Sequence, residues 1–511
     1  MTHLLPPAYW ALTAVILLWD VQLAGRIARQ RAAPRPLALL SALAGLLVVP
    51  AALAAAAAPS LLSGHAVQAI AWLWPVVNAL CAVQVLYAVA RRYVTPAVGL
   101  PFLLYDLVTT AVAVARYATL RGGHAPPWLV ALSAAQAGAI GTLLGEPALW
   151  SPLTLAAPLI APVAPARWRL TATVRGVLAV VVAAWAGLVL LVEYPRAVRA
   201  VRAFAPFGEA RLQERPAGDL EVGLHLFPTL ERPPSEQVVT NDLALLDSLD
   251  ADAVSLTLAP EAATLASLDS VAHILDDVRR DSTRIVIALG YPDDARARYA
   301  ASPERYAAAQ IAALRRVVRR LRPDIVLPAV EPYGAGARAL GELPLAAWQR
   351  YLTAAARAVN EDRPRTQVGV SVASFGARDS ALYAWAADRG SPIEVVGFSL
   401  APSFDGGLSL AARLDAAERW LRAADPRRAP KPHWIFRAAA YPLAHGEQGQ
   451  RDALWGLVAW ATAHPQIRGV VVADAADYGR VSGLRVTGGR LRAAAGAVAE
   501  AVRTLHETVP Q

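Results

Sequence analysis

Long apolar runs recur through residues 1–195 and then cease. A chain with that pattern has to divide into two physically different parts, because a single soluble core has no use for so many such runs in succession. Runs at 8–24, 37–58, 67–90, 97–117, 127–145 and 176–193 lie near the ~20 residues a bilayer-crossing helix needs. Charge divides in the same region. Residues 1–214 carry 15 Arg and 6 acids, whereas 215–511 carry 34 basic and 34 acidic residues, so the net charge of +9 belongs to the first part. Arginines between apolar runs are explained by lipid headgroups and by orientation, so the basic balance implies a lipid bilayer as partner and no nucleic acid. MTHLLPPAYW at the amino terminus lacks the positive stretch of a cleaved leader. The expectation is an all-α transmembrane domain of six or seven helices over 1–195, in an integral protein of a bacterial plasma membrane.

The choice between six and seven rests on residues 150–165, where Pro152, Pro158, Pro162 and Pro165 fit a broken, re-entrant or interfacial piece as well as a crossing. Seven crossings put Arg26, Arg29, Arg31, Arg35, Arg91, Arg92 and the cluster Arg196, Arg199 and Arg202 on the same side as the rest of the chain. Six put the carboxyl-terminal part on the opposite side from the first two arginine loops, so its facing stays open. Asp106 is the acid well inside an expected span; it reads either as a proton- or substrate-handling carboxylate or as a buried acid bonded to a neighbouring helix. Asp20, Glu146 and Glu193 lie near span ends, where solvation is cheap. The lone cysteine, Cys81, excludes an intrachain disulfide. Residues 196–218 read as a basic amphipathic helix followed by a Pro- and Gly-containing linker.

From residue 219 the period changes. Short apolar segments near 221, 251, 284, 324, 367, 393, 433 and 467 alternate with stretches of helical period, the clearest being 307–322, 345–360, 408–424 and 450–464. Eight strand–helix units in residues 219–511 predict an α/β fold, a (β/α)8 TIM barrel, with a doubly wound sheet as the other architecture. In such a barrel the chemistry lies at the carboxyl ends of the strands, and DIVLPAVEPYG ends its apolar run at Glu331.

GLHLFP at the first strand, LLDSLDADAVSLTL leading into the second, VEPYG after the fourth, VVGFSLAPSF at the sixth, HWIF followed by YP at the seventh and GEQGQRDALWGLVAWATAHPQIRGVVV running into the eighth come in an order that resembles the clan A glycoside hydrolases, over about 220–502. The resemblance implies a barrel acting on carbohydrate, with a general acid/base glutamate after strand 4 and a nucleophilic glutamate after strand 7. Glu331, followed by Pro332, matches the first, although Val330 stands where the family carries asparagine. A general acid needs its pKa raised, which the apolar VLPAV run is expected to supply. Strand 7 departs: it reads Trp434, Ile435, Phe436, Arg437, with no glutamate, and strand 6 carries Leu400 and Ala401 where the family often has aromatics. A retaining mechanism needs two carboxyl groups about 5 Å apart, and an arginine cannot attack an anomeric carbon.

Asp474 and Asp477 after strand 8 are the candidate replacement acids, with Asp293 and Asp294 after strand 3; each also fits a helix cap. His225, Tyr333, Trp434 and Arg437 are the candidate substrate-binding residues, with His225 and Trp434 equally readable as barrel packing. Arg437 can pair with Glu331 or receive an anionic sugar group. The histidines lack ligand spacing, so neither metal nor cofactor is expected. Two functions follow from these residues: a membrane-anchored glycoside-hydrolase-like protein acting on or binding a cell-surface or lipid-linked polysaccharide through Glu331, or a catalytically inactive barrel that binds a saccharide or partner and is coupled to the membrane domain. A transporter-like reading rests on Asp106 alone.

Overall fold

The computed structural model describes residues 5–29, 33–57, 70–120, 126–144, 158–159, 169–227, 235–280, 283–401, 410–423, 431–478, 482–486 and 489–507. It separates into two compact units, one built on Met1–Val201 and one beginning at Arg202.

In the first unit, helices form at Leu5–Ala28, Arg35–Ala57, Leu73–Ala90, Pro96–Leu120, Pro127–Leu144 and Arg169–Gly187, over all six apolar runs. Of the 150–165 segment only Pro158 and Leu159 belong to the described residues. The sixth helix does not stop at its expected end. It passes through a π-helical turn, Leu188–Glu193, directly into Tyr194–Phe204, so the basic amphipathic segment extends the apolar helix. Among the described residues, Arg35–Ala54, Leu73–Ala90, Pro96–Ala118 and Gly176–Gly208 are long and apolar enough to cross a membrane.

The inward sides of these helices pack Ile27, Val48, Val77, Cys81, Val85 and Phe102 together. Gln84 donates to the Ser41 hydroxyl at 2.5 Å between two helices. Asp106 is fully buried, and one of its carboxylate oxygens accepts the backbone N–H of Leu159 at 2.8 Å. That bond meets one oxygen of a buried acid, while Asp106 Oδ2 is buried with no hydrogen-bond partner among the described residues. Asp20, expected at a solvated span end, is instead also fully buried. The outward sides are the reverse of a soluble surface. Leu46, Leu53, Val180 and Leu191 are each more than 60% exposed, and apart from Leu491 every large apolar side chain exposed among the described residues lies in this unit.

The second unit is the expected barrel. Strands β1 (Glu221–His225), β2 (Ala253–Leu258), β3 (Arg284–Leu289), β4 (Ile325–Leu327), β5 (Gln367–Val372), β6 (Val395–Leu400), β7 (His433–Ala438) and β8 (Ile467–Val472) run parallel, and β8 pairs with β1, which closes the sheet and rules out the doubly wound alternative. The intervening helices follow their sequence signals. Ser302 accepts from Arg305 N at the start of Pro303–Leu321, Pro303 occupies the first turn, and Leu314, Val317, Val318 and Leu321 form the buried stripe.

The closed bottom of the barrel is pinned by acids placed just before the even-numbered strands. Asp252 accepts from Val222 N at 2.8 Å, Asp324 from Ile285 N at 2.8 Å, and Glu394 from Val368 N at 2.9 Å, each tying one strand to its neighbour. The segment expected to be a linker is bound into the same end. Arg215 pairs with Asp219 and donates to the carbonyls of Ala461, Pro465 and Ile467, while Trp455 donates to Ala210 O at 2.8 Å. Of the carbonyls that Arg215 meets, Ala461 lies in the last turn of helix Pro442–Thr462, where carbonyls lack a partner inside the helix, and Pro465 and Ile467 lie beyond its end.

Inside, Trp434 and Phe436 stack at 6.0 Å between centroids and pack with Val286, Ile325, Leu327 and Val471. They fit because two neighbours have no side chain. A Cβ on Gly397 would lie 2.3 Å from Trp434 O and 2.4 Å from the Phe436 ring, and one on Gly469 would lie 2.4 Å from the Trp434 ring. Gly397→Ala is therefore expected to destabilise the barrel by about 2–3 kcal/mol through overpacking. Thermal unfolding of the purified full-length protein checks this; an unchanged midpoint would show that the interior has slack the packing does not reveal.

Candidate active site at the barrel mouth

Pro328 ends β4 early, because it has no N–H to continue the ladder, and the chain turns sharply over Ala329, Val330 and Glu331. Hydrogen bonds fix that turn on both sides. Val330 N donates to Leu289 O at 3.1 Å, Tyr291 Oη to Val330 O at 2.9 Å, and Tyr351 Oη to Pro328 O at 2.9 Å. Glu331 takes a left-handed φ of +43°, uncommon for a residue with a side chain, and its carbonyl accepts from Gly334 N and Gly336 N at 2.8 and 3.0 Å. Gly334 has to be glycine here: a Cβ would stand 2.8 Å from Glu331 Oε2 and 2.9 Å from Ala373 Cβ.

The turn aims the Glu331 carboxylate into the barrel, where Ser399 Oγ donates to Oε1 at 2.5 Å and Arg338 Nη2 lies 3.9 Å from Oε2. Ser399, at the end of β6, pairs in register with Arg437 on β7, and that pairing depends on an irregularity. Phe398 is opposite Ile435, yet the next pair is Ser399 with Arg437, so β7 carries one extra residue at Phe436; the register with β8 shifts over the same stretch, from Ile435 opposite Val470 to Ala438 opposite Val472. Such a bulge re-aims side chains. It leaves Phe436 in the interior packing and turns Arg437 towards Ser399 and the mouth.

Arg437 Nη2 lies 3.8 Å from Asp474 Oδ2, and the same Asp474 oxygen accepts from Ser482 Oγ at 2.8 Å. Across the mouth, His225 Nδ1 is 3.3 Å from Ser255 Oγ. A third arginine, Arg413 on helix Leu410–Ala423, is buried; it donates to Ala373 O at 2.9 Å and Ser399 O at 3.2 Å and lies over the Phe375 ring at 5.8 Å. Asp379 holds the loop that presents Ala373, accepting from the amides of Ala373, Ser374 and Phe375.

These charges decide the protonation states. Burial pushes the Glu331 carboxyl up, but Arg437, Arg338, the Ser399 hydrogen bond and Arg413 together outweigh it, and its pKa falls below the ordinary value. That is opposite in direction to the expectation from the apolar VLPAV run. Burial opposes the charge on Arg437, yet Asp474, Tyr441 and Glu331 raise its pKa above the ordinary value. Burial pushes the His225 imidazole down to about 4, with Asp474 pulling it up and Arg437 pressing it further down, so His225 is neutral near neutrality.

The other sequence candidates are placed as follows. Asp477 is engaged by Arg492 at 2.9 and 2.7 Å, one guanidinium nitrogen per carboxylate oxygen, and by Gly483 N at 2.9 Å, which closes the loop after β8. Asp294 pairs with Arg298 at 2.7 Å on the surface, beside an exposed Asp293. Trp434 is 3% exposed within the interior cluster, the packing alternative that the sequence held open, and Tyr333, 5% exposed, meets Trp348 edge-on at 6.5 Å. The mouth thus gathers Glu331, Arg437, Asp474 and His225, joined by Ser399, Arg338 and Arg413, which sequence reasoning had not singled out. Arg413 did leave a signal: it interrupts the apolar stripe of its helix, one residue before Leu414. Among the described residues, no group of three or more His, Cys, Asp or Glu side chains could hold a metal ion.

No protein-family model matches this chain, and no curated protein sequence matches it. Among solved structures, the chain is similar to a GH5_18 protein variant from Streptomyces cattleya in complex with Manβ1-4GlcNAc, with a TM-score of 0.45 and 16% identity over 57% of this chain and 82% of that one. It is also similar to an exo-β-1,4-mannosidase from Opitutaceae bacterium strain TAV5, at a TM-score of 0.43 and 15% identity over 56% and 59%. A β-glucuronidase from Ruminococcus gnavus in complex with D-glucuronic acid follows, at 0.39 and 13% over 57% of this chain and about half, 52%, of that one. The carboxyl-terminal half is a closed (β/α)8 barrel. Its strand 7 bears Arg437 where the clan A pattern has glutamate.

The depressed His225 pKa has a consequence for stability. The unfolded imidazole takes up a proton near its ordinary pKa of about 6.5, whereas the folded one resists to about 4. The stabilisation from keeping it neutral is thus present above about pH 6.5 and is lost as pH falls from there towards 4. His225→Asn should show a shallower loss of thermal stability than the wild type across that window; parallel curves would contradict it.

Proposed function

We propose that this chain is a membrane protein whose glycoside-hydrolase-like barrel binds a saccharide at its mouth without cleaving it. The observation that carries this reading is the pairing of Arg437 with Ser399 beside Glu331, since it puts a cation where double displacement requires a second carboxylate. The depressed pKa of Glu331 acts in the same direction: a group ionised well below neutrality has no proton to give a leaving oxygen. Asp474 is tied to Arg437 and Ser482, which makes it part of the same cluster of charged groups.

Support for the membrane anchor comes from the exposed apolar side chains among the described residues between Val15 and Val192 and from the four helices of sufficient length and apolarity. Exposed leucine on that scale is costly in water and favourable in hydrocarbon. The ligand this reading favours is a cell-surface or lipid-linked glycan, because a barrel tethered in the bilayer meets its ligand at the membrane surface.

Purified full-length protein in detergent micelles, titrated with a panel of neutral and acidic oligosaccharides, is expected to bind members of the panel and release no reducing ends. Turnover that disappears in Glu331→Gln would overturn the binding-only reading and restore the hydrolytic one.

A further inference from the structure

We propose that the barrel mouth recognises a carboxylate-bearing saccharide, of the uronic acid class, with Arg437 and Arg338 as the groups that hold the carboxylate. This deepens the saccharide-binding reading above and rests on it. The first support is unused hydrogen-bonding capacity. The nearest acid to Arg437 lies at 3.8 Å and the nearest to Arg338 at 3.9 Å, both too far for a hydrogen bond, and Arg437 Nε is buried with no partner. A guanidinium carries five N–H donors, and leaving one buried and unmet is costly. Three other buried or half-buried arginines of the barrel are closed onto their acids: Arg492 on Asp477 at 2.7 Å, Arg485 on Asp242 at 2.8 Å, Arg284 on Glu221 at 2.5 Å. The two mouth arginines are held apart from theirs, and with side chains 35% and 48% exposed they can be reached from solvent.

Charge gives the second support. Arg437, Arg338 and Arg413 all act on Glu331, and Asp474 acts on Arg437, so the mouth concentrates guanidinium charge around its carboxylates. Arg413 Nη1 donates to the Ala373 and Ser399 carbonyls. Two guanidinium forks, those of Arg437 and Arg338, suit a planar carboxylate. The third support separates a sugar acid from a bare anion. Asp474 Oδ1 is a buried acceptor with no donor facing it, beside the arginines, and a saccharide supplies hydroxyl donors on the same molecule that carries the carboxylate.

The test uses the full-length protein in detergent micelles, titrated calorimetrically with a glucuronate-containing oligosaccharide, with its carboxyl-reduced neutral counterpart, and with inorganic phosphate. The acidic sugar should bind at least about tenfold more tightly than the neutral one, and Arg437→Gln should erase that preference, weakening the acidic sugar by about 10- to 100-fold while leaving the neutral sugar little changed. Arg338→Gln, at a more exposed position, should reduce the preference in the same direction and keeps the test decisive if Arg437→Gln fails to fold. Equal binding of the two sugars would overturn carboxylate recognition while leaving saccharide binding intact. Binding of neither sugar would overturn both readings, and phosphate competing as strongly as the acidic sugar would overturn the assignment to a carboxylate.

Discussion

One extra residue in β7 sets the character of the barrel mouth. Phe398 faces Ile435 and Ser399 faces Arg437, so Phe436 is accommodated as a bulge, and without it the alternation along β7 would turn Arg437 away from the mouth. With the bulge, a guanidinium enters a ring that already holds Glu331, Ser399 and Asp474. The protonation states follow: Glu331 is ionised because three arginines act on it, and Arg437 stays charged because Asp474 and Glu331 surround it. A hydrolase mouth needs two carboxyl groups whose environments separate their pKa values; this one sets arginine against the carboxyls it retains.

The fold was legible because closure of a parallel barrel leaves strong local marks. The strands are largely buried and read as mainly apolar runs, and the helices between them bury one stripe and read at helical period, so all eight strands lie where the sequence places them. Boundaries were less legible: β4 stops at Leu327 because Pro328 cannot extend it, and helix Pro442–Thr462 begins eight residues before the expected 450. Glu331 was legible as the end of an apolar strand with a family-like Glu-Pro pair. Its charge environment was not. Ser399 and Arg413 arrive from a strand and a helix distant in sequence, and Arg338 from the short helix that follows Glu331, so the local apolar run pointed to a raised pKa and the assembled site gives a lowered one. Trp434, readable from sequence either as lining a sugar site or as barrel packing, packs inside because two glycines on neighbouring strands open the slot it fills.

The amino-terminal unit follows a different solvent logic. Its helices bury small and branched residues against one another and turn leucine and valine outward, the inverse of the barrel, where acids and arginines populate the surface. The continuous helix from Arg169 to Phe204 carries the chain from one regime to the other, passing from the apolar Val180 and Leu191 to Arg196, Arg199 and Arg202 without a break. Arg215 then anchors the following segment under the barrel, so the stretch that reads as a linker is fastened to the domain it introduces.

The ionised state of Glu331 is the claim on which the account turns, and infrared difference spectroscopy of wild type against Glu331→Gln measures it most directly. The account predicts that the Glu331 band remains a carboxylate band down to the acid side of the ordinary carboxylate pKa, about 4.3. A protonated carboxyl band at about pH 6 that vanishes in Glu331→Gln would contradict it, and would return to the barrel mouth the general acid of a working glycosidase.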